Sequence, residues 1–122
     1  MTKRILVVDD HDDNQKIMRD LLGNSDYEMM EAENGEQAVA MVAQRRPDLI
    51  LMDIHLPGID GLEATRRLRE DAEFRTLPII ALTALAMPGD RERCLAAGAT
   101  DYVTKPISLK KLAALIEEYL LS

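Results

Sequence analysis

The sequence predicts an α/β domain: a doubly wound, five-stranded parallel sheet covered on both faces by five helices. Three observations carry that expectation. Five short apolar or β-branched runs recur along the 122 residues, each followed by a segment with helical spacing. Three of the runs (4–8, 49–52 and 78–83) are apolar almost throughout rather than alternating polar and apolar, as strands buried on both faces are. No Ser/Gly linker or low-complexity tract interrupts them, so residues 1–122 read as a single domain.

The elements follow in order. "RILVV" (4–8) is the first strand, and Asp12 and Asp13 then open a helix where their charges suit the helix dipole, with Gly23 at its end. "YEMMEA" (27–32) is the second strand. Asn34 with Gln37 resembles a capping box at the next helix start, and Pro47 closes that segment. "LILM" (49–52) is the third strand, Asp60 with Glu63 caps the third helix, "PIIALT" (78–83) is the fourth strand, and Gly98 ends the fourth helix. "DYVT" (101–104) precedes the last helix, where Ser108 is a natural N-cap and Leu109, Leu112, Ala113, Ile116 and Leu120 share one face.

Composition narrows the function. With 22 acidic against 15 basic residues the net charge is −7, the wrong sign for wrapping nucleic acid or lying on anionic lipid, so direct nucleic-acid or membrane binding is not expected. The single cysteine, Cys94, can form no internal disulfide and reads as a small buried or half-buried hydrophobe, in keeping with a reducing cytoplasm. No apolar stretch approaches the roughly 18 residues of a membrane helix. A cytoplasmic protein is expected.

In an open parallel sheet, ligands bind beyond the carboxyl ends of the strands. The first strand runs into Asp9 and Asp10, the third into Asp53, the fourth into Thr83, and the fifth into Lys105 and Pro106. Three converging carboxylates repel unless a cation sits among them, and hard oxygen donors favour Mg²⁺. An Asp oxygen is a competent phosphoryl acceptor, and a metal, an ammonium and a hydroxyl together stabilise a phosphoryl group in flight. Singly, each residue has a plainer role: Asp53 as a loop cap, Thr83 as a strand residue, Lys105 as a solvated charge. Together they form a kit. His11 and His55 lack the helical spacing of zinc-binding histidines, so a zinc site is not expected.

Over essentially its whole length the chain resembles the receiver domain of two-component response regulators. The motifs are "ILVVDD" (5–10), "LILMDIHLPGIDG" (49–61), "ALTA" (81–84) and "YVTKP" (102–106). The resemblance implies a flavodoxin-like sheet of strand order 2-1-3-4-5. It implies Asp53 as phosphoacceptor, with Mg²⁺ bound by Asp10, Asp53 and the main-chain carbonyl of His55 and, through water, by Asp9. Thr83 and Lys105 would contact the phosphoryl oxygens, Tyr102 would be the aromatic whose burial reports phosphorylation, and the peptide before Pro106 would be cis. The donor would be a phosphohistidine on a sensor histidine kinase or a histidine phosphotransfer protein, and a downstream effector protein would read the altered surface of the fourth helix, fifth strand and fifth helix. Such a chain is no enzyme in the ordinary sense but assists its own phosphorylation and dephosphorylation. "KPIS" (105–108) and "AMPGD" (86–90) are similar to single-domain members that regulate cell division, and a stand-alone regulator is expected. By the same resemblance, Leu85 and His55 would flank the approach of hydrolytic water. Asn14, Gln15, Met18 and Leu22 of the first helix are candidate partner contacts or, equally, core and surface filler.

Other classes fit less well. A phosphohydrolase of the haloacid dehalogenase type needs DxDx[TV], and the strand ends here read Asp53-Ile54-His55 and Asp9-Asp10-His11. A phosphorylation-independent module on the same fold would lack part of the acidic pair, Asp53 or Lys105, and all are present. A nucleotide site fails at "DDHDDN" (9–14), which has no glycine and carries four negative charges.

Overall fold

The computed structural model describes residues 2–23, 27–84 and 88–121, with residue 121 described by its backbone alone. The strands are β1 (Lys3–Val8), β2 (Tyr27–Ala32), β3 (Leu49–Asp53), β4 (Ile79–Thr83) and β5 (Asp101–Thr104). They pair in parallel in the order β2-β1-β3-β4-β5. The helices are α1 (Asp12–Gly23), α2 (Gly35–Gln44), α3 (Gly61–Glu70), α4 (Asp90–Ala96) and α5 (Leu109–Leu121), with a short 3-10 turn at Ala72–Phe74.

The greasy strands divide their side chains between two cores. From β1 and β3, Ile5, Val7, Leu49 and Leu51 pack with Met18 and Leu22 of α1 and Leu112 and Ile116 of α5. The alternate residues Leu6, Val8, Ile50 and Met52 pack with Ala38 and Val42 of α2 and Ala64 and Leu68 of α3. Successive side chains of a strand point to opposite faces, so a strand covered on both sides must be apolar at every position. Cys94, Ala97 and Ala99 close the second face over Ala81, Ile54 and Leu62. The edge strands are only half-buried, and β2 carries charges there: Glu31 accepts two hydrogen bonds from Arg19, and Glu28 pairs with Arg45. Charged edges discourage pairing with other chains.

Helix starts follow the expected chemistry with one variation. Asn34 Oδ1 accepts from Gln37 N, but the Gln37 side chain accepts from Glu33 N, one residue short of a reciprocal box. Asp60 accepts from Glu63 N and Ser108 Oγ from Lys111 N. The expected face of α5 is buried at Leu112 and Ile116 and open at its first turn. Leu109, the first residue of α5, is 41% exposed and lines a groove beside α1. Gln15, Met18 and Leu22 likewise face inward and are buried, which leaves only Asn14 of the candidate contacts on α1 half-open to a partner.

Candidate functional site

Because all five strands run the same way, their carboxyl ends meet on one rim. Asp53 is the last residue of β3 and 1% exposed; Asp9, just past β1, is also buried, whereas Asp10 beside it is exposed. The two buried carboxylates are held alike. Asp9 Oδ1 accepts from the N–H of His11, and Asp53 Oδ1 from the N–H of His55, each at 2.9 Å. These are Asx turns, in which a carboxylate bonds the backbone two residues on. Gln15 steadies the same rim: its buried Nε2 reaches the carbonyls of Asp9 and Ala32, both at 3.1 Å, tying the ends of β1 and β2.

Lys105 closes the other side. Its N–H donates to the carbonyl of Thr83 at 2.7 Å, and its ammonium lies 3.0 Å from Asp53 Oδ2. The Lys105-Pro106 peptide is cis, as the resemblance implies. Thr83 ends β4 fully buried, with Asp53 one rung away opposite Leu82. Tyr102 pairs with Ala81 and packs on the cluster of Ile54, Cys94 and Ala97, half-buried. Its N–H donates to Asp101 Oδ1, while Asp101 Oδ2 accepts from Tyr119 of α5 at 3.0 Å. Leu85 lies outside the described residues.

The rim is also shaped by a close approach. Gly61 donates its N–H to Ile54 at 3.0 Å, and a Cβ on it would stand 2.2 Å from the carbonyl oxygen of Asp53. Only glycine lets α3 start this close to Asp53. Gly61 ends the quoted 49–61 motif and Gln15 is among the candidate partner contacts, but neither packing role was visible in the sequence, since each depends on how separate segments meet. Arg69 is a third such residue. It bridges the carbonyls of Gly98 and Phe74 and the hydroxyl of Thr100, and burial lowers its pKa from the usual arginine value. Cys94 behaves as the small hydrophobe expected: burial first, and then the charge of Asp90, push its thiol pKa up and away from reactivity.

The donor set fits a hard divalent cation. Ligand atoms of Asp9, Asp10, His11 and Asp53 all lie within 4.8 Å of one another. Three carboxylates against the one ammonium of Lys105 leave a formal charge of −2, which one divalent ion neutralises. His55 is exposed and outside this side-chain cluster; the structure ties it to the site through its backbone N–H. A groove opens beside the rim between α1 and the β5–α5 loop, lined by Asn14, Ile17, Met18, Lys105, Ile107 and Leu109. Among the described residues no helix is long and apolar enough to cross a membrane.

Comparison with known proteins agrees with this geometry. A family model for the response regulator receiver domain matches residues 5–117. The polar-differentiation response regulator DivK of Brucella anthropi is 45% identical over 98% of each chain. The receiver domain of a sensor histidine kinase from Pseudomonas aeruginosa, solved with a magnesium ion coordinated in its active-site cleft, is 40% identical with a TM-score of 0.91 over the full length of both chains. The chemotaxis response regulator CheY4 of Vibrio cholerae is 27% identical with a TM-score of 0.92, covering 98% of this chain and 100% of that one.

Proposed function

This chain belongs to the response regulator receiver family of two-component signalling, and from that premise we propose that Asp53 accepts a phosphoryl group from a phosphohistidine, with Mg²⁺ held by Asp9, Asp10, Asp53 and the carbonyl of His55. The observation that carries the reading is the Lys105 ammonium, 3.0 Å from an Asp53 carboxylate that is 1% exposed and clustered with Asp9 and Asp10. A buried carboxylate gathered with two others and only one cation is costly unless the charge is used.

In the proposed step an Asp53 carboxylate oxygen attacks phosphorus while the P–N bond of the donor breaks and its electron pair returns to the imidazole nitrogen. The Lys105 ammonium holds the reacting carboxylate and meets a phosphoryl oxygen as charge develops there; the Thr83 hydroxyl meets another. Mg²⁺, when bound, offsets the negative charge on the transferring group. Tyr102 fills the space that Thr83 vacates, altering the face of α4, β5 and α5 that a downstream effector reads. The same residues assist the later loss of phosphate by hydrolysis. The whole chain, residues 1–122, acts as one phosphoacceptor domain in the cytoplasm.

On this reading the donor, a sensor histidine kinase or a histidine phosphotransfer protein, docks in the groove beside α1. Ile17 and Leu109 flank it at 44% and 41% exposure, and it leads to Lys105 and Asp9. An apolar rim around a polar target suits a helical partner whose phosphohistidine must reach Asp53. Incubation with phosphorylated histidine kinases or phosphotransfer proteins, with Mg²⁺ or with excess EDTA, tests the reading. Transfer that needs the metal and slows in Lys105→Gln supports it; transfer indifferent to both rejects it.

A further inference from the structure

One side chain at the rim has no part in the phosphoryl chemistry. His11 is 65% exposed at its side chain, yet its ring is turned onto the acidic pair, with Nδ1 3.1 Å from Asp10 Oδ1 and 3.3 Å from Asp9 Oδ1. Ligand atoms of Asp9, Asp10 and Asp53 complete the cluster within 4.8 Å. Around a tetrahedral Zn²⁺, with nitrogen and oxygen ligands about 2.0–2.1 Å away, neighbouring ligand atoms stand about 3.3 Å apart. The two His11 separations are near that length, while the Asp53 ligand atom, within 4.8 Å of the others, would have to draw in to complete the shell. A relative bears on the cleft as a cation site: the Pseudomonas aeruginosa receiver, 40% identical, has a magnesium ion coordinated in its own active-site cleft.

The two cations ask for different ligands. Mg²⁺ is hard, keeps several waters and gains little from an imidazole, whereas Zn²⁺ and Co²⁺ bind imidazole well. Four protein donors also fill a tetrahedral shell, and a filled shell has no open position for a phosphoryl oxygen. We propose that His11 joins Asp9, Asp10 and Asp53 in a closed four-ligand site for a borderline divalent cation, Zn²⁺ above all, which competes with Mg²⁺ and blocks phosphoryl acceptance at Asp53. The expectation from sequence that zinc is absent rested on helical His spacing. His11 lies one residue before α1, where a turn rather than a helix sets the geometry.

This inference rests on the metal reading of the three aspartates, and the test separates the two. Zn²⁺ and Mg²⁺ are titrated separately by calorimetry into the wild type, His11→Ala and His55→Ala, and Co²⁺ is followed by its visible spectrum. Loss of a neutral nitrogen ligand should lower the ratio of Zn²⁺ to Mg²⁺ affinity by at least about tenfold in His11→Ala. The intense bands of four-coordinate Co²⁺ should collapse in the same variant, and Zn²⁺ should slow phosphorylation of the wild type by acetyl phosphate in competition with Mg²⁺. An unchanged affinity ratio in His11→Ala, or an equal fall in His55→Ala, overturns the His11 site while leaving the Mg²⁺ reading intact. Zn²⁺ binding through His11 in a chain that binds no Mg²⁺ supports the His11 site and rejects the Mg²⁺ reading.

Discussion

Replacing Gly61 with alanine should damage the site without touching any of its charged groups. The new Cβ would lie 2.2 Å from the carbonyl oxygen of Asp53 and 2.7 Å from Ile54 Cα. A carbon–oxygen contact settles at about 3.3 Å or more, so the gap must open by about 1.1 Å. On the strand side the backbone is pinned by the ladder, which continues through Ile54 N to Leu82 at 3.1 Å. The start of α3 must therefore withdraw, stretching the bond from Gly61 N to Ile54, or the end of β3 must buckle and carry Asp53 with it. Overpacking of this size costs about 1–3 kcal/mol. A nucleophile misplaced by about 1 Å loses on the order of 10²-fold in rate. Urea denaturation gives the first quantity, and the initial rate of phosphorylation by acetyl phosphate, read by intact-protein mass spectrometry, gives the second. Gly23→Ala is the control, since a Cβ there meets nothing within 4 Å and should be neutral or stabilising. Wild-type stability and rate in Gly61→Ala would refute the claim that this close approach positions Asp53.

Three other outcomes follow from the same geometry. Lys105→Gln removes the ammonium 3.0 Å from Asp53 and should raise Mg²⁺ affinity several-fold by relieving cation repulsion. Phosphoryl acceptance should meanwhile slow by about 10²-fold or more; paired calorimetry and rate measurements check the opposite signs. Ile17→Lys puts a charge into the groove beside α1, so it should slow transfer from a phosphohistidine protein more than transfer from acetyl phosphate, as the ratio of the two rates will show. The Arg19 hydrogen bonds, and next its charge, hold the Glu31 carboxyl below its ordinary value of 4.5 despite partial burial. The stability this adds is present above pH 4.5 and is lost as pH falls through the lowered value, so Arg19→Gln should flatten that acid limb of the denaturation midpoint.

The parts legible in sequence were those set by local pattern. β1 and β3 announce themselves because burial on both faces demands apolar residues at every position, and Asn34, Asp60 and Ser108 because capping needs a side-chain acceptor at a fixed offset. The convergence of Asp9, Asp10, Asp53, Thr83 and Lys105 was legible for a simple reason: a parallel sheet sends all its carboxyl ends to one rim. What escaped depends on distances between separate segments. The approach of Gly61 to Asp53, the Gln15 bonds to Asp9 and Ala32, and the Arg69 bridge to Gly98 and Thr100 leave no periodic trace. Leu109 fits the apolar face of α5 by spacing, but spacing alone does not show that the first turn of that face stays open. His11 reads as an isolated histidine until the turn at Asp9 brings its ring onto the acidic pair.

The central claim is that one carboxylate, Asp53, takes the phosphoryl group. Treating the wild type and Asp53→Asn with acetyl phosphate and Mg²⁺, then trapping the acyl phosphate by borohydride reduction and mapping the peptides by mass spectrometry, tests it most directly. A single modified residue, Asp53, is expected in the wild type, and no phosphoryl adduct in Asp53→Asn. An adduct on Asp10, Asp12 or His55 in the wild type, or full phosphorylation of Asp53→Asn, would contradict it.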